Sequence, residues 1–241
     1  MTGRMRRATP HPAADPGQDR DALRAAAADL SLALDDTAQA RLLGYLALLR
    51  KWNAVYNLTA IRDPQAMLVQ HLFDCLAVVP ALQPYLVAGG TVVDVGSGGG
   101  LPGVVLAVCA PQVTVHCVDT VGKKAAFVTQ VRAELGLPNL CAHHARVEEL
   151  QVPRDLPAAC VVVSRAFSSL AQFVALTRHL LAPEGVWAAM KGVMPLDELA
   201  MLPADVRMLS AITLAVPRLD AQRHLLLLAP SDDSRSPAST P

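Results

Sequence analysis

From Thr91 onward, short and continuously apolar runs alternate with longer segments of helical periodicity, and this alternation limits the possible folds more than any other feature. A run without polar alternation is typical of a strand that is buried on both faces, as in a parallel sheet covered by helices. Strands that alternate with helices therefore predict an α/β fold with right-handed crossovers. The candidate strands are residues 91–95, 113–118, 140–143, 160–163 and 185–190, and the helices between them are residues 103–110, 123–135 and 170–181.

The end of this region has a different pattern. Residues 210–216 and 224–229 are strand candidates separated by a turn at 217–223. This connection is too short for a parallel return, which needs a crossover of roughly a dozen residues, so the two strands predict an antiparallel hairpin. A mostly parallel seven-stranded sheet that ends in such a hairpin is the Rossmann-like arrangement of class I methyltransferases, whereas a nicotinamide-binding Rossmann domain closes with another parallel strand.

The region before the sheet has a helical pattern. Leucines recur at three- and four-residue spacing within a segment that runs from residue 21 to about residue 52. Pro64 suits the first turn of a further helix. We expect a single methyltransferase domain over residues 20–230, in which residues 20–88 form a helical N-terminal extension. Residues 1–19 and 231–241 are rich in Pro and in small or charged residues, and they predict disordered tails.

Charge and cysteine content narrow the classes of partner. Lys plus Arg and Asp plus Glu number 21 each, so the formal net charge is zero and attraction for a nucleic acid must come from a local basic patch. The five cysteines are an odd number without a C-x-x-C pair, which argues against a disulfide framework and a zinc site.

No signal peptide and no uninterrupted apolar stretch of roughly eighteen residues is visible. We expect a monomeric cytoplasmic protein that holds no metal and binds no membrane.

A glycine-rich loop follows the first strand and opens a helix. Its sequence, over residues 94–103, is Asp-Val-Gly-Ser-Gly-Gly-Gly-Leu-Pro-Gly. The dinucleotide fingerprint G-x-G-x-x-G fails when it starts at Gly96 but fits when it starts at Gly98, so the loop alone leaves the cofactor open. Asp94 is more informative, because its carboxylate would repel a pyrophosphate. It can instead hold the amino-acid end of a ligand, or the loop itself.

Two further acidic positions accompany the loop. Asp119 ends the second strand, where a carboxylate can accept hydrogen bonds from both ribose hydroxyls of an adenosine; the alternative is that it caps the next helix. Glu148 follows the third strand, beside the expected place of an adenine; the alternative is a solvated helix start. Asp94, Asp119 and Glu148 together predict an acidic pocket. Such a pocket suits the sulfonium cation of S-adenosylmethionine better than a pyrophosphate.

Several motifs give the chain a resemblance to a known family. The matching stretches are Lys51-Trp52-Asn53, Tyr56-Asn57-Leu58-Thr59, His71 with Asp74, Asp94-Val95-Gly96-Ser97-Gly98, Leu101-Pro102-Gly103, Gly122-Lys123-Lys124, Arg146-Val147-Glu148-Glu149, Ser164-Arg165-Ala166-Phe167, Lys191-Gly192 and Arg223-His224-Leu225. Over residues 20–230 the sequence resembles the bacterial 16S ribosomal RNA guanine-N7 methyltransferases, the glucose-inhibited division protein B group. Gly99 and Gln222 depart from that pattern, since the family usually has Pro or Ala at the first position and Glu at the second.

The resemblance implies a cofactor, a substrate and a set of contacts. It implies that S-adenosylmethionine methylates N7 of a guanine in the 530 loop of 16S rRNA, in naked RNA or in the small ribosomal subunit. The cofactor would contact Gly96, Leu101, Val147, Glu148 and Arg165, to which the reasoning above adds Gly98 and Asp119.

The chemistry at guanine N7 explains why no acid or base is assigned. N7 carries a free lone pair and has no proton to lose, so catalysis can depend on positioning and on the exclusion of water. Arg165 follows the fourth strand and is the expected orienting residue, acting on the guanine O6 or on the methionine carboxylate. The alternative is an ion pair between Arg165 and Asp94 or a nearby Glu.

Four residues are candidates for RNA contact: His71, Lys123, Lys191 and Arg223. Lys191 ends the fifth strand at the edge where ligands bind, and it could meet a phosphate. His71 could equally be a packing residue, and Lys123 could belong to a solvated helix start. Trp52 and Tyr56 could stack on a base, but we expect them to pack the N-terminal helices onto the sheet.

Two other functions remain open from the sequence. A small-molecule methyltransferase can have the same fold, because a fold does not determine its substrate. A non-catalytic rRNA-binding assembly factor could also retain the fold. The presence of Gly96, Asp119 and Glu148 argues against the second alternative.

Overall fold

A computed structural model of the chain describes residues 15–231, and it contains a seven-stranded sheet. The strands are β1 Thr91–Val95, β2 Thr114–Asp119, β3 Leu140–His144, β4 Ala159–Arg165, β5 Leu181–Lys191, β6 Val206–Thr213 and β7 His224–Pro230. They lie in the order β3-β2-β1-β4-β5-β7-β6. β1 to β5 pair in parallel, while β7 runs antiparallel to both β5 and β6. The predicted fold class is therefore confirmed, including the antiparallel hairpin, whose last strand inserts beside β5.

The helices cover both faces of this sheet. They are α1 Pro16–Asp29, α2 Asp36–Tyr56, α3 Pro64–Met67, α4 Asp74–Leu76, α5 Val79–Leu82, α6 Gly103–Cys109, α7 Gly122–Leu135, α8 Leu170–Thr177 and α9 Leu196–Ala200. A π-helical turn, Leu68–Phe73, joins α3 to α4, and short 3-10 turns lie at Gln83–Tyr85, Val147–Glu149 and Arg178–Leu180.

Aspartate caps determine where the N-terminal helices begin. The side chains of Asp15, Asp35 and Asp63 each accept a hydrogen bond from a backbone N–H in the first turn of α1, α2 and α3. Such caps satisfy donors that have no partner within the helix. One predicted helix over residues 21–52 is therefore two helices, since Asp35 starts a new one.

The predicted N-terminal boundary is also corrected. Residues 15–19 belong to the predicted disordered tail, but α1 begins at Pro16. Asp19 is buried, and its carboxylate accepts a hydrogen bond from Arg50 at 2.6 Å, which ties α1 to α2. Residues 1–14 and 232–241, which carry the rest of the two predicted tails, lie outside the described residues.

The two faces of the sheet bury separate apolar clusters. Val92 and Val161 belong to one cluster, together with buried side chains of α1, α2, α6 and α7 such as Phe127. Val93 and Trp187 face α8 on the opposite side of the sheet. Every residue of β1 is buried, as expected for a central parallel strand covered on both faces.

The strand order places the loop after β1 beside the end of β4. The chain leaves β1 toward β2 on one side, whereas β4 lies on the other side of β1. This reversal of strand order is the topological switch point, where α/β sheets open a crevice at the carboxyl ends of the strands. The glycine loop and Arg165 flank that crevice.

One segment before the sheet is apolar enough to resemble a membrane span. An 18-residue window within residues 64–85 has a mean hydropathy of 1.4, but 67% of that window is buried inside the protein. Its apolar side chains, including Leu68, Leu72 and Leu76, belong to the core cluster formed with α2 and α6. The composition of this segment is therefore that of a core element.

Candidate active site

The glycine loop is held against the end of β2 by backbone contacts. The N–H groups of Gly96 and Ser97 donate to the Val118 carbonyl at 2.9 and 3.1 Å. Gly96 and Gly98 have φ values of 66° and 58°, in the left-handed region that glycine adopts without steric cost. A Cβ atom on Gly96 would lie 2.7 Å from the Phe167 ring, so space as well as backbone conformation requires glycine there.

Asp94 supports the glycine loop from beneath. Its Oδ2 accepts a hydrogen bond from the Gly103 N–H at 2.7 Å, at the start of α6. Its Oδ1 is buried without a hydrogen-bond partner among residues 15–231, and burial raises the pKa of this carboxyl to about 7. Of the two roles expected for Asp94, the structure supports the contact with the loop.

Asp119 also contacts the loop. Its Oδ2 accepts from the Gly98 N–H and its Oδ1 from the Val121 N–H, both at 2.9 Å, while Lys124 lies 3.5 Å away. The alternative that Asp119 caps α7 is wrong, because Val121 occupies the N-cap position. Since each carboxylate oxygen has two acceptor sites, these contacts still leave capacity for a ligand.

The three residues predicted to form an acidic pocket lie apart from the cavity beside the glycine loop. A cavity of about 530 Å³ opens beside the loop, and neither Asp94, Asp119 nor Glu148 lines it. Asp94 and Asp119 point instead at backbone N–H groups of the loop, which are the nearest unpaired donors. The cations on the cavity wall are Arg165, Lys191 and Arg223.

The cavity is formed mainly by the glycine loop, the ends of β4 and β5, and the N-terminal extension. Its lining residues are Leu49, Leu58, Thr59, Ile61, Gln70, His71, Asp74, Gly96, Ser97, Gly98, Gly99, Leu101, Arg165, Ala166, Met190, Lys191, Gly192, Leu214, Arg223 and His224. Its volume is within the range of sites for small molecules and cofactors.

Arg165 is anchored by Asp74, a residue of the motifs shared with the family that had no predicted role. Its Nη1 donates to Asp74 Oδ2 at 3.2 Å and to the Gln70 carbonyl at 3.0 Å. Arg223 Nε donates to the other oxygen of Asp74 at 2.9 Å. The predicted alternative was an ion pair between Arg165 and Asp94 or a nearby Glu. Arg165 does form an ion pair, but its partner is Asp74 from the N-terminal extension.

The π-helical turn brings the N-terminal extension to Arg165. A π-turn contains an extra residue per turn and often occurs at functional sites. It places the Gln70 carbonyl and the His71 ring beside the guanidinium group, with 3.4 Å between Arg165 Nη2 and His71 Nδ1. His71 Nε2 lies 2.8 Å from Thr59 Oγ1. Burial, aided by the Arg165 charge, lowers the pKa of His71 to about 4, so the imidazole is neutral at physiological pH.

A buried asparagine fixes the loop that carries Thr59. Asn53 Oδ1 accepts from the Thr59 N–H at 2.8 Å, and Asn53 Nδ2 donates to the Ile61 carbonyl at 3.1 Å. Asn53 and Asp74 are buried polar residues within apolar helical segments. A polar residue in an apolar segment indicates a structural or functional contact, because a buried polar group needs a hydrogen-bond partner. The sequence therefore contained a signal for Asn53 and for Asp74.

The remaining predicted site residues are not on the cavity wall. Val147 is buried in the 3-10 turn after β3, and Glu148 accepts a hydrogen bond from Arg146 Nε at 2.8 Å. Lys123 donates to the Tyr56 carbonyl at 2.7 Å. Trp52 packs 5.4 Å from the Phe127 ring, in agreement with the packing role that we expected for it.

Lys191 lies on the cavity wall but has an anionic partner. Its Nζ is 2.8 Å from Glu198 Oε2 and 3.0 Å from the Ser168 carbonyl. Glu198 Oε2 also accepts from the Leu170 N–H at 2.7 Å, at the start of α8. A phosphate that reaches Lys191 would therefore compete with Glu198.

The structure describes five cysteines and all of them are free thiols. Within residues 15–231, no group of three or more His, Cys, Asp or Glu side chains is arranged to hold a metal ion.

The sheet order, the glycine loop at its switch point and the cavity beside that loop define the fold of S-adenosylmethionine-dependent class I methyltransferases. The structure of a SAM-dependent methyltransferase from Aquifex aeolicus superimposes with a TM-score of 0.51 at 17% identity, covering 69% of this chain and 93% of that one. This likeness shows the fold.

Sequence comparison gives the family. The family model described as GidB, rRNA small subunit methyltransferase G, matches residues 38–226. The ribosomal RNA small subunit methyltransferase G of Leptothrix cholodnii is 55% identical over 215 residues, which are 88% of this chain and 96% of that protein. The protein of the same name from Acidovorax sp. strain JS42 is 53% identical over 218 residues, or 87% and 94% of the two chains. The chain belongs to the rRNA small subunit methyltransferase G family.

Proposed function

We propose that this chain transfers a methyl group from S-adenosylmethionine to N7 of a guanine in the 530 loop of 16S rRNA. The observation that carries this proposal is the state of the titratable groups on the cavity wall. Asp74 is paired with two arginines, and both ring nitrogens of the neutral His71 have partners. These two groups are therefore engaged and not placed to remove a proton, and N7 of guanine is a nucleophile that needs none removed.

The residues around the loop fit the cofactor. The cavity is large enough for a nucleoside-containing ligand, and Gly96, Gly98 and Leu101 are among the loop residues that form its wall. Arg165 can pair with a carboxylate, as its planar guanidinium favours. Asp119 can accept from the ribose hydroxyls, and Val147 with Glu148 would meet the adenine once Glu148 leaves Arg146. When bound, S-adenosylmethionine supplies an electrophilic methyl group on sulfur.

The protein's own contribution is to orient the two reactants and to exclude water. Arg165 and Arg223 are held at the cavity by Asp74, so their remaining N–H groups can donate to an oxygen such as guanine O6. Apolar side chains, among them Leu49, Leu58 and Met190, line the rest of the wall. Holding the reactants in line and excluding water in such a site can lower the activation barrier to methyl transfer by a large share.

The RNA partner would be held by cations at the rim of the cavity. We assign this role to Lys191 and Arg223 on the wall and to Lys123 at the start of α7, with the neutral His71 beside them as a further RNA contact. Because the chain is formally neutral, RNA affinity depends on these local charges. Because the proposed substrate is rRNA in the small ribosomal subunit, we place the enzyme in the cytoplasm. We also propose that it acts as a monomer.

The test uses purified protein, S-adenosylmethionine labelled in the methyl group, and three substrates: small ribosomal subunits, naked 16S rRNA and a pool of small metabolites. We expect label in one guanine of the 530 loop, located by nuclease digestion and mass spectrometry. The matching genetic experiment deletes the gene and maps N7-methylguanine in 16S rRNA. Label only in metabolites would support a small-molecule methyltransferase, and cofactor binding without label would support an assembly factor. Either result would contradict the proposal.

A further inference from the structure

Asp74 forms ion pairs with two arginines at once, and these arginines lie beside different strands. Its two carboxylate oxygens pair separately, one with Arg165 at the end of β4 and the other with Arg223 just before β7. The partners are 91 and 149 residues away in sequence. We propose that Asp74 is a positioning residue that sets the spacing and orientation of both guanidinium groups toward the reactants. This inference rests on the proposed function.

Charge balance supports a role beyond stabilising the fold. One carboxylate faces two guanidinium groups, so the cluster of Asp74, Arg165 and Arg223 carries one positive charge in excess. The side chain of Asp74 is 5% exposed, whereas those of Arg165 and Arg223 are 22% and 26% exposed. All three residues line the cavity, and the anion is less exposed there than the two cations. An oxygen acceptor in the cavity, either the cofactor carboxylate or guanine O6, would complete the cluster.

Orientation is as important as charge in this cluster. A guanidinium group presents its N–H donors in a fixed plane, so the direction of the fork depends on which donors are already engaged. Arg165 uses Nη1 for Asp74 and the Gln70 carbonyl, and Arg223 uses Nε for Asp74 and Nη1 for the Gln222 carbonyl. Without Asp74, Arg223 would keep only the contact with its neighbour in sequence. Displacements of about 1 Å in positioning groups can lower a rate roughly 10²-fold.

The chain provides a matched control for this carboxylate. Asp19 is as deeply buried as Asp74, at 3% residue exposure each, and it pairs with Arg50 at 2.6 Å. Neither Asp19 nor Arg50 lines the cavity. Asp19→Asn therefore removes a comparable ion pair, and it reports the effect of lost stability on activity.

The experiment measures single-turnover methylation of small ribosomal subunits and the calorimetric Kd of S-adenosylmethionine. We expect Asp74→Asn to lower the methylation rate about 10²-fold, and Asp19→Asn to change it less than threefold. If the arginines orient guanine O6, the Kd of the cofactor is unchanged, and if they orient the cofactor carboxylate, the Kd rises as well. Rates for Asp74→Asn and Asp19→Asn that agree within threefold would overturn the inference.

A double-mutant cycle separates positioning from stability. If Asp74 acts through Arg165, adding Asp74→Asn to Arg165→Lys lowers the rate by much less than it does in the wild-type protein. Equal losses in both backgrounds would overturn the inference. If Asp74→Asn does not fold, Arg165→Lys and Arg223→Lys are combined instead: a shared carboxylate predicts non-additive rate effects, and strict additivity contradicts it. Failure of the wild-type protein to methylate rRNA would show that the proposed function is wrong. The inference would then be supported if Asp74→Asn raises the cofactor Kd and Asp19→Asn does not, and overturned if both leave the Kd unchanged.

Discussion

The backbone N–H of Gly98 donates to Asp119 Oδ2 at 2.9 Å, which ties the loop after β1 to the end of β2. Asp119 also accepts from the Val121 N–H at 2.9 Å. One carboxylate therefore sets the conformation of the loop and the entry to α7, and it remains available to a ribose hydroxyl.

Asp119→Ala should weaken binding of S-adenosylmethionine by about 1–3 kcal/mol, because the loop loses its acceptor and the ribose loses a partner. Calorimetry measures the effect. Asp155→Ala is the control, since Asp155 accepts from the Gln151 N–H at 2.9 Å in a loop that does not line the cavity. Unchanged affinity in Asp119→Ala, or binding of NAD by the wild-type protein, would contradict the assignment.

Gly103→Ala should destabilise the protein by about 1–3 kcal/mol through overpacking. A Cβ at this position would clash with Cys117 Sγ and lie 2.8 Å from Asp94 Oδ2, both in the buried floor of the loop. Gly192→Ala is the matched control, because nothing lies within 4 Å of its added Cβ. Urea unfolding compares the two variants, and equal midpoints would show that the loop can move to accept the methyl group.

Asp94 should make the stability of the fold depend on pH. Its pKa is about 7 in the folded protein, against about 3.9 for an ordinary Asp. Between these values the folded chain binds more protons than the unfolded chain, so the stability that Asp94 contributes is lost as pH rises from about 4 to about 7.

Asp94→Asn removes this titration and keeps an acceptor for the Gly103 N–H. Relative to the wild type, the free energy of unfolding of Asp94→Asn should increase by about 2 kcal/mol between about pH 5.5 and pH 8. His71 acts in the opposite direction, since its lowered pKa makes the fold less stable as pH falls below about 6.5. Because both proteins contain His71, the difference between their denaturation curves isolates Asp94. A difference that does not vary with pH would show that Asp94 is ionised throughout.

Arg165→Lys should leave a folded protein whose turnover is at least about tenfold lower, because a point charge cannot replace a planar fork that contacts Asp74, Gln70 and a ligand at once. Labelled methyl transfer measures this loss. Arg154→Lys is the control: Arg154 pairs with Asp155 at 2.8 Å, but its side chain is 64% exposed. Full activity of Arg165→Lys would mean that only the charge is needed.

Two truncated proteins should distinguish the contribution of residues 1–14 to stability from that of residues 15–19. Removing residues 1–14 should leave the midpoint of thermal unfolding unchanged. Removing residues 1–19 should lower stability by about 3 kcal/mol, because it deletes the Asp15 cap and leaves Arg50 without Asp19. Calorimetric unfolding measures both truncated proteins. Equal stability of the two would show that the first turn of α1 contributes nothing.

Much of the architecture was available from local sequence patterns. Continuous apolar runs and helical spacing are properties of neighbouring residues, so they predicted the seven strands, the closing hairpin and the position of the glycine loop. The cap at Asp15 was missed because a short polar residue before a proline is equally compatible with a tail.

Tertiary structure alone decided which donor meets which acceptor. The sequence leaves two roles open for each of Asp94 and Asp119, a ligand or the loop for the first and a ribose or a helix cap for the second. In the structure both accept from loop N–H groups, since burial makes an unpaired N–H costly. Asp74 meets Arg165 and Arg223 only because the strand order and the π-helical turn bring three distant segments to one cavity. Periodicity along the chain carries no information on such pairings, because they depend on the packing of elements that are far apart in sequence.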